Sequence, residues 1–212
     1  MPRSPGISYL DASIATMRFP FPAAVLAGGA SRRMGRPKAS LPFGAGTLLE
    51  HQILRVAPLF AEVFVVVKDA PDAAIGGARV LIDSTARQGA IFGLTRALEE
   101  VEDRLFVLAV DLPVLAPELI AEIARRGGKT SAPALLPRAE GRLQPLAAVW
   151  RRAVIPLALE RIAREELSLH GLAQAAGAEI LEEADWRPLD PSGNSFANVN
   201  TLEEYVAARE RA

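Results

Sequence analysis

Four cations, Arg32, Arg33, Arg36 and Lys38, follow the pair Gly28-Gly29 in a loop led into by the apolar run Ala23 to Ala27. An uncharged apolar run of this kind reads as a buried strand. The glycines permit positive φ and carry no side chain to block a ligand. Backbone N–H groups and fixed positive charge then converge, which is the outline of a cradle for a polyanion. The same pair is also what an ordinary turn looks like, and surface arginines are ordinarily solvated. The dinucleotide fingerprint is missing its third glycine, and the P-loop pattern is missing its Gly-Lys-[Ser/Thr].

Two aspartates stand in comparable places. Asp83 closes the short apolar run Arg79 to Ile82, and Asp111 closes the longest one, Leu105 to Val110. Leu112-Pro113 follows Asp111, so a rigid turn would hold that carboxylate in place, although an aspartate is also an ordinary turn residue after any strand. In an open parallel sheet, ligands bind beyond the carboxyl ends of the strands. One rim would then collect Gly28-Gly29, Asp83 and Asp111.

The elements that must build this rim alternate. Ala23 to Ala27, Val63 to Val67, Arg79 to Ile82 and Leu105 to Val110 are strand-like. The first helix begins at the capping box Thr47-x-x-Glu50 and stops near Pro58. A second follows Gln88-Gly89-Ala90, with Ile91, Leu94, Ala97 and Leu98 on one face. A third starts at Pro117 and closes at Gly127-Gly128. Strand–helix alternation predicts a parallel α/β sheet covered on both faces. Beyond it, Ala132 to Leu136 and Leu146 to Trp150 read as strands separated by Pro137 and Gly141. Val154 to Ala163 and Leu167 to Ala176 read as helices, and Ala178 to Leu181 as an edge strand. Thr201-x-x-Glu204 is a second capping box, which starts a closing helix.

Composition narrows the chemistry. Half of the 212 residues are hydrophobic and 23% are charged, as in ordinary globular proteins. The formal net charge is −1, so there is no global basic field for nucleic acid, and anion binding must be local. The absence of cysteine excludes disulfides, thiolate metal sites and cysteine nucleophiles, and is compatible with a cytoplasmic setting. His51 and His170 are the only histidines, which excludes a multi-histidine metal centre and leaves magnesium on carboxylates as the easier metal. No apolar run is long enough to span a bilayer. Residues 1–20 have no apolar signal core and read as a disordered tail or as preceding the true start, with Met17 just ahead of the first strand. Residues 21–212 read as one domain.

Leu26, Gly28, Gly29, Ser31, Arg33, Met34, Gly35 and Lys38 together resemble the signature Leu-x-Gly-Gly-x-Ser-x-Arg-Met-Gly-x-x-Lys. That signature belongs to nucleotidyltransferases that activate sugars and cofactors with a nucleoside triphosphate. The nearest resemblance is to the MobA-like molybdenum cofactor guanylyltransferases. Asp111-Leu112-Pro113 is similar to the family's Asp-x-Pro motif, and Asn198-Val199-Asn200-Thr201 to its Asn-Val-Asn-Thr segment. The resemblance implies an α/β fold of three layers, with a mostly parallel sheet of Rossmann-like nucleotidyltransferase type.

It also implies roles. Leu26, Ala27, Gly28, Gly29, Lys68, Asp83 and Asp111 would bind nucleotide, and Lys38 its phosphates. Lys38, Asp111 and Arg33 would carry catalysis. Asp111 would hold Mg2+, with one of the asparagines, Asn200 favoured, completing the metal or substrate site. The alternative for that asparagine segment is a plain helix start capped by Thr201. Gln144-Pro145-Leu146 falls where the family approaches its second substrate or a partner subunit. Two positions depart from the family: Gly89-Ala90-Ile91-Phe92-Gly93 replaces Gly-Pro-Leu-Ala-Gly, and Lys68 stands where asparagine is common. Gly29 favours guanine over cytosine. The implied reaction transfers GMP from Mg-GTP to molybdenum-molybdopterin. Implied protein partners are molybdopterin-delivering proteins or apo-molybdoenzymes, with neither nucleic acid nor membrane involved. The alternatives are a cytidylyl or sugar-phosphate nucleotidyltransferase of the same fold, or a catalytically silent nucleotide-binding protein.

Overall fold

A computed structural model describes residues 17–28, 37–70 and 75–211. Among them, β1 (Ala23–Leu26) is followed by a small hairpin of β2 (Pro42–Phe43) and β3 (Gly46–Thr47). The helix α1 (Leu48–Val56) starts on the expected capping box, with Thr47 Oγ1 accepting the Glu50 N–H at 3.2 Å and Glu50 accepting the Thr47 N–H at 2.7 Å. Next come β4 (Val63–Val67), β5 (Arg79–Ile82), α2 (Ala90–Leu98), β6 (Arg104–Ala109) and α3 (Pro117–Gly127). The remainder is β7 (Ala134–Ala139), β8 (Arg142–Leu143), β9 (Ala147–Arg151), α4 (Ile155–Ala163), α5 (Leu169–Ala176), β10 (Glu179–Leu181), α6 (Glu183–Trp186) and α7 (Leu202–Arg211).

The main sheet runs β10-β7-β9-β6-β1-β4-β5, with β8 attached to β7. β1 lies in the middle and pairs parallel with both β4 and β6. Its residues Ala23, Ala24 and Val25 are fully buried, as a strand covered on both faces must be. One face carries Leu48, Ile53, Leu119, Ile123 and Tyr205 from α1, α3 and α7, packed on Val25, Val65 and Phe106. The other carries Ile91, Leu94, Ala158 and Leu172 from α2, α4 and α5, packed on Ala24, Phe64, Val66 and Trp150. Three layers result, as the sequence predicts. None of the described helices is long and apolar enough to cross a membrane.

Two details differ from the sequence reading. The strand expected to end before Pro137 runs on to Ala139. Pro137 lies between Leu135, the last residue paired with β9, and Arg138, the first paired with β8, so its missing N–H breaks no ladder pair on that side. Past it, Glu140 (φ 49°) and Gly141 (φ 73°) make the two-residue turn of positive φ that closes a tight hairpin. That reversal sends β9 back antiparallel between β6 and β7. The second difference is at Gly28, whose φ is not positive, and a Cβ there would meet only ordinary contacts, the nearest being Lys68 Cγ at 3.6 Å. Its bareness serves the space above it, not the turn.

Candidate active site

The parallel strands end together. Past their last residues the ladder continues for one more step: the Ala27 N–H donates to Val66 O at 2.9 Å, Asp83 N–H to Val67 O at 2.8 Å and Val110 N–H to Leu26 O at 3.2 Å. These bonds fix Gly28, Asp83 and Asp111 on one rim. There a cavity of about 300 Å³ opens, floored by Leu26, Ala27, Gly28, Val66 and Val67. Lys38, Ala109, Val110, Asp111 and Leu146 close one side, and Asp83, Gln88, Gly89, Ala90 and Gly93 the other. Gly89, at φ 147°, precedes the first residue of α2, and no side chain caps that helix. Its first N–H groups therefore lie at the cavity wall, a place that suits electron-rich ligand atoms.

Lys38 is the junction of the first side. Its ammonium donates to Asn200 Oδ1 at 2.6 Å and stands 3.6 Å from the Asp111 carboxylate. Burial pushes the Asp111 carboxyl above the usual range, and the Lys38 charge opposes that rise. Asp111 is further tied through its backbone, where its carbonyl accepts the Val199 N–H at 2.9 Å. The Asn200 N–H in turn donates to Glu204 at 2.6 Å, and the same carboxylate accepts the Thr201 N–H at 2.8 Å. The two readings of this segment are thus compatible, since Thr201 caps α7 while Asn200 reaches Lys38.

The second side is built around a partly buried ion pair. Lys68 Nζ donates to Asp83 Oδ2 at 2.7 Å and to the carbonyls of Thr85 and Arg87, both at 2.9 Å. The other oxygen of Asp83 accepts the Thr85 N–H at 3.2 Å. Asp83 lines the cavity, whereas Lys68 is not among the residues that line it.

Sequence reasoning missed the support beneath Asp111. The inward face of α1 is polar where it meets the 109–113 turn. Gln52 Nε2 donates to Ala109 O at 3.1 Å, and Arg55 Nη1 to Pro113 O at 2.7 Å and Leu112 O at 3.4 Å. His51 Nε2 lies 3.0 Å from the Pro113 carbonyl. The available signal was the pair Gln52 and Arg55 flanking Ile53 on a face that should have been wholly apolar.

Leu26, Ala27, Gly28, Lys38, Asp83 and Asp111 therefore meet on one cavity, with Asn200 bonded to Lys38. Gly29 and Arg33 lie outside the described residues, as do Ser31, Met34 and Gly35. Among the described residues no three acidic, histidine or cysteine side chains cluster as a self-sufficient metal cage. Asp111 and Asn200 nonetheless present two oxygens to one cation, the Lys38 ammonium. A small hard cation bound mainly through substrate phosphates needs no more than such a pair of oxygen donors.

Comparison with known proteins bears on the family and the fold. The model of the MobA-like NTP transferase domain matches residues 23–180. A Mycobacterium tuberculosis protein named probable molybdenum cofactor guanylyltransferase is 37% identical over 195 residues, covering 89% of this chain and 96% of that protein. The crystal structure of molybdopterin-guanine dinucleotide biosynthesis protein A from Archaeoglobus fulgidus superposes with a TM-score of 0.79 at 24% identity, over 89% of this chain and 97% of that one. The 2-C-methyl-D-erythritol 4-phosphate cytidylyltransferase of Thermus thermophilus has the same fold, with a TM-score of 0.65 at 22% identity over 91% and 98% of the two chains.

Proposed function

The chain belongs to the MobA-like NTP transferase family, and from that premise we propose that this nucleotidyltransferase moves GMP from Mg-GTP onto the terminal phosphate of molybdenum-molybdopterin. A phosphate oxygen of molybdopterin attacks the α-phosphorus of GTP. The bond from that phosphorus to the bridging oxygen of the β-phosphate breaks, and pyrophosphate leaves. The attacking phosphate is already an anion, so the reaction needs no general base. Its difficulty is the approach of one anion to another.

The observation that carries the reading is the meeting of Lys38, Asp111 and Asn200 at one end of a cavity whose floor is the bare backbone of Gly28. Lys38 offsets phosphate charge, and Gly28 lets the phosphates approach the backbone closely. Asp111 and Asn200 would hold Mg2+, which would neutralise phosphate charge and favour departure of pyrophosphate. Asp83 and the first turn of α2 receive the nucleoside end. Catalysis is then positioning and electrostatics. Arg33, on the signature loop, is proposed to assist Lys38.

The test is pyrophosphate release with each of GTP, CTP, ATP and UTP, with and without molybdenum-molybdopterin. Release that requires both GTP and the pterin is the expected result. Release with CTP in its place would move the protein to the cytidylyl reading, and tight nucleotide binding with no release would make it a silent binder.

A further inference from the structure

Lys68 occupies a position where direct contact with the nucleotide would be expected, yet its surroundings say otherwise. An ammonium has three donors. Those of Lys68 meet three acceptors within the protein, Asp83 Oδ2, Thr85 O and Arg87 O, at 2.7, 2.9 and 2.9 Å. The acceptors belong to one irregular stretch, residues 83–89, which joins β5 to α2. Beyond the Asp83 N–H, which donates to Val67 O, no strand ladder holds this stretch. Its far end is tied differently, with Arg87 lying over the Phe92 ring at 5.0 Å and pairing with Glu165 at 2.5 Å. What the stretch presents to the cavity is Asp83 at its start and Gly89 at its end.

The strand order says which part of a nucleotide meets this wall. Asp111 follows β6 and Asp83 follows β5, and β1 and β4 lie between them. At ~4.8 Å per strand, three steps separate the two aspartates by about 14 Å. A nucleotide held by its phosphates near Lys38 and Asp111 therefore places its base near Asp83.

We propose that Lys68 is a positioning residue for base selectivity, which never touches the nucleotide but locks Asp83 and the carbonyls of Thr85 and Arg87 into a fixed base-facing wall. The inference rests on the reading of the cavity as a nucleoside triphosphate site. Without the ammonium, Asp83 would be a buried carboxylate without its cation, and the two carbonyls would lose their donor. The wall would then loosen while the phosphate end, on the other side of β1, stayed as it is.

The experiment is equilibrium binding of GTP, CTP, ATP and inorganic tripolyphosphate to the wild-type protein, Lys68→Met, Asp83→Asn and the double variant. In Lys68→Met we expect GTP binding to weaken about tenfold or more and the preference for GTP over ATP to shrink. Tripolyphosphate binding should stay within about twofold, and Lys68→Met should cost clearly less in the Asp83→Asn background than in the wild-type one, because there it withdraws a donor only from the Thr85 and Arg87 carbonyls. Penalties that multiply in the double variant would mean that Lys68 contacts the nucleotide itself, and would overturn the proposal. An equal loss for tripolyphosphate, or no loss for GTP, would overturn it too. If Lys68→Met does not fold, Lys68→Gln, which keeps an amide donor, carries the same measurements. A wild-type preference for another base would overturn the guanylyl reading alone, and the Lys68 comparison is then read on that nucleotide. Failure of the wild-type protein to bind any nucleotide would overturn both.

Discussion

Lys38 and Asn200 stand 162 positions apart and meet at 2.6 Å, the ammonium donating to the amide oxygen. The same ammonium faces Asp111 at 3.6 Å. One positive charge thus gathers side chains from the loop after β1, the turn after β6 and the start of α7.

Removing either charged member should cost turnover and leave the fold intact. Asp111→Ala and Lys38→Ala are each expected to lower GTP-dependent pyrophosphate release by about 10²–10³-fold, the usual scale for losing one group that stabilises developing charge. Melting curves should stay cooperative, because both side chains lie at the rim and not in the core. Near-normal release by either purified variant would sink the assignment.

Arg55 should matter for a different reason. It is buried and donates to the Pro113 and Leu112 carbonyls. Arg55→Met leaves those carbonyls short of a donor, at a cost of ~2 kcal/mol. For a domain of this size that lowers the melting temperature by about 4–8 °C. Catalysis should fall as well, because the turn bearing Asp111 loses a support. An unchanged melting temperature would show that the turn does not depend on α1.

Gly127 tests the packing of α3 on the sheet. A Cβ there would lie 2.4 Å from Val149 Cβ, on a buried strand that cannot retreat. Gly127→Ala should destabilise by ~1–3 kcal/mol through overpacking. In a Val149→Gly background the same substitution should cost much less, since the obstructing Cβ and both of its methyls are gone. Thermal denaturation of the four proteins reads the coupling, and simple additivity would refute the clash.

His51 gives a pH signature. Burial holds its imidazole below the usual range, the Pro113 carbonyl pulls the other way, and the Arg55 charge lowers it again. The unfolded histidine takes up a proton near pH ~6.5, whereas the folded one does so only at lower pH. Between those two values the unfolded state binds more protons, so stability rises with pH and is lost as pH falls through the window. His51→Gln should flatten the fall in melting temperature between about pH 7 and pH 5. Equal slopes in the two proteins would refute it.

The parts of this fold that read directly from sequence are those encoded within a few residues. Both capping boxes, the apolar strands from Ala23 to Val110 and the aspartates at their ends follow from local pattern. Bonds made across the chain to backbone carbonyls left little trace. Lys68 reaches Thr85 and Arg87, and Arg55 reaches Leu112 and Pro113, through acceptors that every residue possesses. The reversal of β9 hinges on Glu140, a non-glycine residue at positive φ, which composition does not announce. Pro137 reads as a strand breaker until its neighbours on either side are known.

The Val199 N–H that closes on Asp111 O has a consequence for biosynthesis. A ribosome releases β1, β4, β5 and β6, and with them Asp83 and Asp111, long before it reaches Val199 and Asn200. The growing polypeptide can assemble its parallel strands early, but the Lys38–Asp111 end of the cavity acquires its contacts with Val199 and Asn200 only as α7 approaches. The contacts of Val199 with Asp111 and of Asn200 with Lys38 thereby arrive well after the sheet that carries Asp111, and a nascent chain stalled short of Val199 would carry the sheet without them.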